Sequence, residues 1–577
     1  MAFDGFILKS VIQELSSCLL TGKITKVYQP LPEEIVLGVY CGGTNYALSC
    51  NVSSLYSLHL TTTSKPNPLV APSFCMLLRK YLIGSKIKNI TMAGLERIAT
   101  IELENYNELN DLVTYQLVIE LMGKHSNIIL INQENRIIDS LKHLTTFSGS
   151  LRNILPNIPY QFPELNKLDI STISVNSDFY NTISNDAKSS SLSEYFCNHF
   201  SGTSKALINY SITQLAISED LTFENFKTLL TYLQNLLTKI QNQQVICLSL
   251  ENDYVLSPSS ERNTHLNVNF FLDDYYTKKE QEGEFTQYRN GLLSFIAKKL
   301  KKIAKKSDEV TKKVQECSKM QDYQLYGELL TNNLYRLKED HIDHIILDNY
   351  YQQNQPITIP LDISLSPSDN AKKYFKKYHK LKNTISIVTI QKEELEKEID
   401  YLESIVYELQ IAKNIAELDR IYQEMEENNL FSRKVPVKQG NKSFKIKSRT
   451  NNRQKVANKK QNDFLSYQIN GFTVLVGKNN QENDYLTLKV AKENDIWFHV
   501  KDLQGSHVIL VVNQKEPSQE TINQVAAISA HYSKAKQSSN IPVDYALVKY
   551  VKKPAKAKPG MVIYTNYQTV NVQPANL

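Results

Sequence analysis

The sequence predicts a multidomain α+β protein, and three observations set its plan. Apolar residues recur at the four-three spacing of a coiled-coil seam in two long central stretches, 274–321 and 371–425. Short strand-like runs interleaved with single helices lie on both sides of them. A run of eleven Lys/Arg with no acidic residue, 431–462, separates the second stretch from the last module. The chain reads as an α/β domain (1–172), a small helical domain (173–270), a long antiparallel coiled-coil arm (271–430) with a small β-containing cap (326–370), a basic linker (431–462) and a C-terminal α/β module (463–577).

In the first domain, apolar residues at helical spacing mark a helix over 6–20, with Gly22 as its stop. Strands follow over 23–29, 34–40, 45–50 and 57–60. A second helix, 73–81, opens behind Pro72, whose fixed φ suits a first turn. Strands over 87–93, 97–103, 113–121, 128–131 and 137–141 complete the domain, with polar turns at 123–127 and 135–136. The Ser/Asn-rich interval 171–193 is a linker. Behind it, Gly202 marks a tight turn that opens a helix, and Phe226, Leu229, Leu233, Leu236 and Ile240 line one face of another. A glycine turn entering a helix can hold a phosphate, although an ordinary helix connection is the plainer reading.

The first arm seam is Ile296, Leu300, Ile303, Val310, Val314 and Cys317, with Ser307 as its polar lapse. The second is Leu381, Ile385, Val388, Leu395, Ile399, Leu402, Val406 and Leu409, with Lys392 as the lapse; it shifts and resumes through Ile411, Ile415, Leu418, Tyr422 and Met425. Helices of this length span roughly 70–80 Å, and each apolar stripe hides most readily against the other. Strand-like runs at 345–351 and 356–361 make the interruption a β cap. The last module reads as strands over 471–476, 497–501, 507–512, 545–551 and 562–564 with one helix, 519–533.

Composition is that of a globular protein, 41% hydrophobic and 22% charged, with no apolar run long enough for a membrane span. The first residues lack a basic segment and a cleavage site, so no secretory signal is expected. Seven scattered cysteines, none paired as CxxC, point to reduced thiols and the cytoplasm. The net charge of +6 matters less than its placement. Besides the basic run, Lys298, Lys299, Lys301, Lys302, Lys305, Lys306, Lys312 and Lys313 line the first arm helix, and Lys549, Lys552, Lys553, Lys556 and Lys558 cluster near the end. Three such clusters favour a nucleic-acid partner over merely solvated faces. No Walker loop, GxGxxG, HExxH or GxSxG occurs, and no acid–base carboxylate pair stands out, so no enzyme, cofactor or metal is expected. His499 and His507 lack a third ligand.

Four polar clusters remain. Asp4-Gly5 precedes the first helix, where an N-cap is the simplest role. Glu96-Arg97 lies between two apolar strands, as a surface turn or a phosphate contact. Glu120, Leu121 and Met122 run into Lys124 and His125. Trp497, His499, Lys501, Ser506 and His507 stand on adjoining strands, where aromatics and bases suit RNA stacking, or else form a satisfied core.

With these motifs the chain resembles the NFACT family, the RqcH-type ribosome quality-control factors related to NEMF, also known as fibronectin-binding protein A. The likeness spans nearly the whole chain: FDG at 3–5, CMLLRKYL at 75–82, ERI at 96–98, IELMGKHSNIIL at 119–130, KHL at 142–144, YGELLTNNLY at 326–335, NAKKYFKKYHKLK at 370–382, WFHVKD and GSHV within 497–508, and VDYALVKYVKKPAKAKPG at 543–560. The resemblance implies an N-terminal domain similar to that of the Fpg/MutM glycosylases, a helix-hairpin-helix-like domain, a coiled-coil arm with a middle cap, and a C-terminal RNA-binding domain. It implies a non-catalytic factor that binds large ribosomal subunits carrying stalled peptidyl-tRNA. Such a factor recruits alanine tRNA, beside other quality-control factors, so that the nascent chain grows an untemplated alanine tail. Glu96 and Arg97 stand where the family has an Asp-Arg pair important for tRNA recruitment, and Glu120, Leu121 and Met122 match its Glu-Ile-Met element. Asp4, Lys124 and His125 complete the expected tRNA site; Trp497, His499, Lys501, Ser506, His507, Lys549, Lys552 and Lys553 are the expected RNA and ribosome contacts. Glu96 departs from the usual Asp by one methylene, and Gln504 replaces the Pro usual before Gly-Ser-His. Glycosylase chemistry is not expected, because position 2 is Ala rather than a nucleophilic Pro and the zinc-finger cysteines are missing. The rival reading, a fibronectin-binding surface adhesin, lacks a signal peptide, a wall anchor and disulfides.

Overall fold

The computed structural model describes residues 3–107, 109–145, 152–164, 167–173, 191–251, 253–260, 267–337, 342–431, 464–513 and 515–577. Most of the Ser/Asn-rich interval and all but the first residue of the basic linker lie outside the described residues. The chain forms two compact units, residues 1–282 and 283–577.

The first unit opens with α1 (Gly5–Leu19), whose face of Phe6, Leu8, Val11 and Leu15 is fully buried. Strands β1 (Lys23–Leu31), β2 (Glu34–Cys41), β3 (Thr44–Asn51) and β4 (Ser57–Leu60) form one antiparallel meander. Helix α2 (Ser73–Leu82) leads to a second meander of β5 (Lys86–Met92), β6 (Ile98–Tyr106), β7 (Leu112–Glu120), β8 (Asn127–Asn132) and β9 (Ile137–Ser140). The meanders join into one nine-stranded sheet where Lys23 of β1 faces Lys86 of β5, with flanking backbone bonds from Ile24 to Ser85 and from Ile87 to Gly22 at 2.9 Å. Helix α1 spans that short seam, packing on β2 and β4 on one side and β5 on the other.

The following segment is less helical than expected. Helices α3 (Leu192–His199), α4 (Lys205–Leu215) and α5 (Phe223–Gln241) are joined by a hairpin, β10 (Val245–Ser249) with β11 (Tyr254–Pro258). Leu192, Phe196, Phe226 and Val255 share one core with α1 and the sheet, so the hydrophobic interior does not divide near residue 172. The glycine turn before α4 has a packing role. Gly202 takes φ +74°, its carbonyl accepts from Gly5 N–H at 3.0 Å, and a Cβ on Gly5 would lie 2.5 Å from the Gly202 Cα.

Helix α6 (Asn267–Cys317) begins in the first unit. Its unpaired N-terminal amides donate to the buried Glu14 carboxylate: Val268 and Asn269 N–H each at 3.0 Å, with Asn269 Nδ2 at 2.7 Å. A helix N-terminus stabilises an anion without a paired cation.

In the second unit, α6 continues, followed by α7 (Met320–Asn332), the hairpin β12 (His344–Asn349) with β13 (Gln355–Pro360), and α8 (Pro367–Ile411). Ile296, Ile303 and Val310 share a core with Val388, Leu395, Leu402 and Leu409, one residue per heptad from each helix. Lys299 lies 3.9 Å from Glu398, while Gly327 of α7 abuts Phe375 near the start of α8, so the two long helices run antiparallel. Ile411, expected in the seam, is 37% exposed. Helix α8 ends there, and Asn414 accepts from Glu417 N–H at 3.0 Å to start α9 (Ile415–Glu427).

The last module is a six-stranded antiparallel sheet in the order β14 (Leu465–Ile469), β15 (Phe472–Val476), β17 (Val508–Val511), β16 (Ile496–Val500), β18 (Ile541–Leu547) and β21 (Gln568–Val572). A short helix α10 (Asn480–Tyr485), the helix α11 (Gln519–His531) and the pair β19 (Val551–Lys552) with β20 (Ile563–Tyr564) complete it. The strand expected over 545–551 instead starts at Ile541 and gives way to a helical turn at Val548–Tyr550.

Candidate nucleic-acid interfaces

In the first unit, the expected residues gather where α1 begins, β6 begins and β7 ends. Asp4 caps α1, its Oδ1 accepting from Ile7 N–H at 3.0 Å and its Oδ2 from the Ser204 hydroxyl at 2.6 Å. Burial pushes its carboxyl up to about 6 against those hydrogen bonds. Arg97 directly precedes β6, and its carbonyl accepts from Leu121 N–H at 2.8 Å, which sets the 121–125 turn beside it. The half-buried guanidinium donates through Nη1 to the Tyr56 hydroxyl at 2.6 Å and, more weakly, to the Phe3 carbonyl at 3.5 Å. It also lies 5.3 Å from the centre of the Tyr56 ring. Among the described residues it forms no ion pair. Glu96 and Met122 are half-buried, and Lys124 and His125 are exposed on the helical turn Gly123–His125.

Three expected contact residues are enclosed. Asp4 is 5% exposed, and Glu120 and Leu121 are fully buried. Glu120 is already satisfied: Arg152 donates to both its oxygens at 3.1 and 2.8 Å, and the Tyr160 hydroxyl donates at 2.8 Å. These side chains hold the site together; as placed they have no face for a ligand.

In the second unit, Trp497 is likewise a core residue, 1% exposed. It stacks on His499 at 5.7 Å, meets His507 edge-on at 5.3 Å and tilts against Tyr564 at 4.8 Å, so no face remains for a base. His507 is held neutral, its imidazole pushed down to about 3 chiefly by burial, with Nδ1 beside the Thr487 hydroxyl at 2.8 Å. Ser506 is buried, its N–H donating to the Tyr532 carbonyl at 2.9 Å. Half-buried His499 and Lys501 and exposed Lys549 and Lys552 remain nearer the surface. Lys553 does not: it is ion-paired with Asp484. Lys558 lies over the Tyr401 ring at 5.5 Å. On α6, seven of the eight expected lysines are exposed, and Lys299 is half-buried.

Sequence reasoning passed over a buried joint between the long helices and the last module. Asn480 donates its backbone N–H to Glu408 of α8, and its Nδ2 to Glu424 of α9 at 3.2 Å and to Ser404 at 2.9 Å. Tyr401 donates to Glu424 at 3.1 Å, and Arg420 pairs with Glu482 at 2.8 Å. Burial raises both Glu408 and Glu424, the latter to about 7. Tyr56 and Arg152 were missed as well, since neither sits in a motif. Only the tertiary fold brings them to Arg97 and Glu120. Among the described residues no group of His, Cys, Asp or Glu could hold a metal ion, and no helix is long and apolar enough to cross a membrane.

Residues 4–443 match the family model described as NFACT N-terminal and middle domains, and residues 462–566 match the NFACT protein RNA binding domain. The chain is 34% identical over 585 residues to the Rqc2 homolog RqcH of Bacillus subtilis (strain 168), covering 100% of this chain and 98% of that protein. It is 34% identical over 579 residues to the Rqc2 homolog RqcH of Streptococcus suis (strain 05ZYH33), with the same coverage. The solved N-terminal part of the fibronectin/fibrinogen-binding protein from Streptococcus suis is 29% identical, at a TM-score of 0.39, covering 48% of this chain and 100% of that one.

Proposed function

The chain belongs to the NFACT family, and from that premise we propose that it binds large ribosomal subunits carrying stalled peptidyl-tRNA and recruits alanine tRNA for untemplated alanine tailing. Ribosome quality control is its function, and the C-terminal module is its RNA-binding domain. In this reading the protein is a non-catalytic, cytoplasmic factor that works beside other quality-control factors, and the ribosome forms the peptide bonds. The Fpg-like likeness of the first domain and the role of β12–β13 as an arm cap belong to the same proposal.

The observation that carries the tRNA half is the state of Arg97. Its guanidinium is partly accessible, forms no direct ion pair among the described residues although the buried Asp4 carboxyl feels its charge, and spends one nitrogen on a neutral hydroxyl. A paired arginine would be an ordinary surface bridge; an unpaired one beside exposed Lys124 and His125 suits a phosphate or base edge. Exposed lysines on α6 and at Lys549 and Lys552 support electrostatic binding of ribosomal RNA. Sequencing the RNAs that co-purify with the tagged protein tests both halves: 23S ribosomal RNA with enriched alanine tRNA is expected. Ribosomal RNA without any enriched tRNA would remove the recruitment step. The 34% identity over the full chain to the Rqc2 homologs favours this reading over a fibronectin-binding adhesin.

A further inference from the structure

Arg97 owes its pose to a residue outside every motif. Tyr56 directly precedes β4 and is 5% exposed. Its hydroxyl accepts from Arg97 Nη1 at 2.6 Å, and its ring lies beneath the guanidinium at 5.3 Å. Tyr56 is itself fixed from behind, because its carbonyl accepts from the Tyr276 hydroxyl at 3.2 Å. Tyr276, near the start of α6, is 7% exposed; its ring stacks on His59 at 5.6 Å and its hydroxyl meets that of Tyr254 at 3.0 Å.

We propose that Tyr56 is the positioning residue of the tRNA site, orienting the Arg97 fork toward its RNA ligand while leaving its charge intact. This rests on Arg97 being a tRNA contact. A carboxylate could hold the guanidinium as firmly, but it would neutralise the charge and compete with a phosphate for the same donors. A phenol does neither. The hydroxyl engages one terminal nitrogen and the ring lies close to the guanidinium. Nε and Nη2, without partners among the described residues, remain in a set direction. An arginine carries large rotamer freedom, and restraining it in the free protein removes an ordering penalty from binding. The hydrogen-bonded chain through Tyr276 and Tyr254 makes that restraint part of the packed core at the α6 root.

Tyr56→Phe removes the acceptor but keeps the ring and its packing. The readout is tRNA per 23S ribosomal RNA in complexes purified with the full-length protein, alongside its thermal midpoint. Tyr56→Phe should lower the tRNA ratio by roughly two- to tenfold, the cost of ordering one rotamer-rich side chain on binding. Ribosomal RNA recovery and the midpoint should stay at wild-type values. Combining Tyr56→Phe with Arg97→Ala should add little to Arg97→Ala alone, because both changes act on one contact. A Tyr56→Phe protein with the wild-type tRNA ratio, where Arg97→Ala loses tRNA, overturns the positioning role. Loss of tRNA and ribosomal RNA together with a lowered midpoint overturns it in favour of a structural one. Wild-type tRNA recovery by Arg97→Ala itself removes the underlying reading of Arg97 instead.

Discussion

Arg97 and Glu120 sit at neighbouring ends of β6 and β7, yet their charges are used in opposite ways. Glu120 is sealed and paired with Arg152, so its role is to fix the 152–164 segment against the sheet. Glu120→Gln removes the buried carboxylate charge that accepts two bonds from Arg152 and should destabilise the protein by about 3 kcal/mol, seen as a lower denaturation midpoint. An unchanged midpoint would mean that Arg152 finds another anion. Arg97 is not paired in this way, so Arg97→Lys should leave the midpoint within about 0.5 kcal/mol of wild type. A point charge lacks the fork geometry, and Arg97→Lys should therefore lose co-purifying tRNA nearly as fully as Arg97→Ala. Retention of tRNA by the lysine variant would show that charge alone suffices. The motif around Arg97 was legible in the sequence, but its surroundings were not. Tyr56 is 41 residues from Arg97 and Arg152 is 32 from Glu120, and such pairs exist only once the tertiary fold is known.

At the scale of elements, the heptads were the clearest signal, because a seven-residue period sustained over several turns has few other causes. Where that signal misled, local backbone chemistry had intervened. Ile411 continues the apolar spacing, but Asn414 caps a new helix and the seam stops. Strands β14 and β21 lie at the two edges of their sheet; each is five residues long and largely half-buried or exposed, so their alternation, Leu465, Tyr467 and Ile469 in one and Val570 and Val572 in the other, is too short to stand out. The long helices predict a test of reach. Lys299 beside Glu398 sets the pairing, so residues 304–310 face residues 388–394. Deleting both segments shortens the pair by about 10 Å and keeps each seam in phase. The variant should remain folded by circular dichroism but lose alanine tailing of stalled chains. Full tailing would show that helix length is not what the ribosome reads.

For the whole molecule, the Glu408–Glu424–Asn480 joint makes stability depend on pH. Glu424 titrates at about 7 in the folded protein against an ordinary value of 4.5, chiefly because it is buried, with Asp484 and Glu427 adding like charge. Between those values the folded chain holds a proton that the unfolded chain has released. This contribution to stability therefore falls as pH rises from 4.5, and its full penalty is present above 7. Asp4, raised to about 6, acts in the same direction. Histidines 59, 499 and 507 oppose it. Burial depresses each of them, so the unfolded chain takes up their protons first and stability falls as pH drops below 6.5. The net profile of the wild type mixes these terms, and a difference between variants separates them. Glu424→Gln retains an oxygen for Tyr401 and Asn480 and removes the titrating group. At pH 8 it should be more stable than wild type by about 2 kcal/mol, and by pH 5 that advantage should be largely gone, since the wild-type carboxyl is then protonated. Urea denaturation at pH 5, 6, 7 and 8 measures it. A constant difference across the series would mean that Glu424 does not titrate in this range.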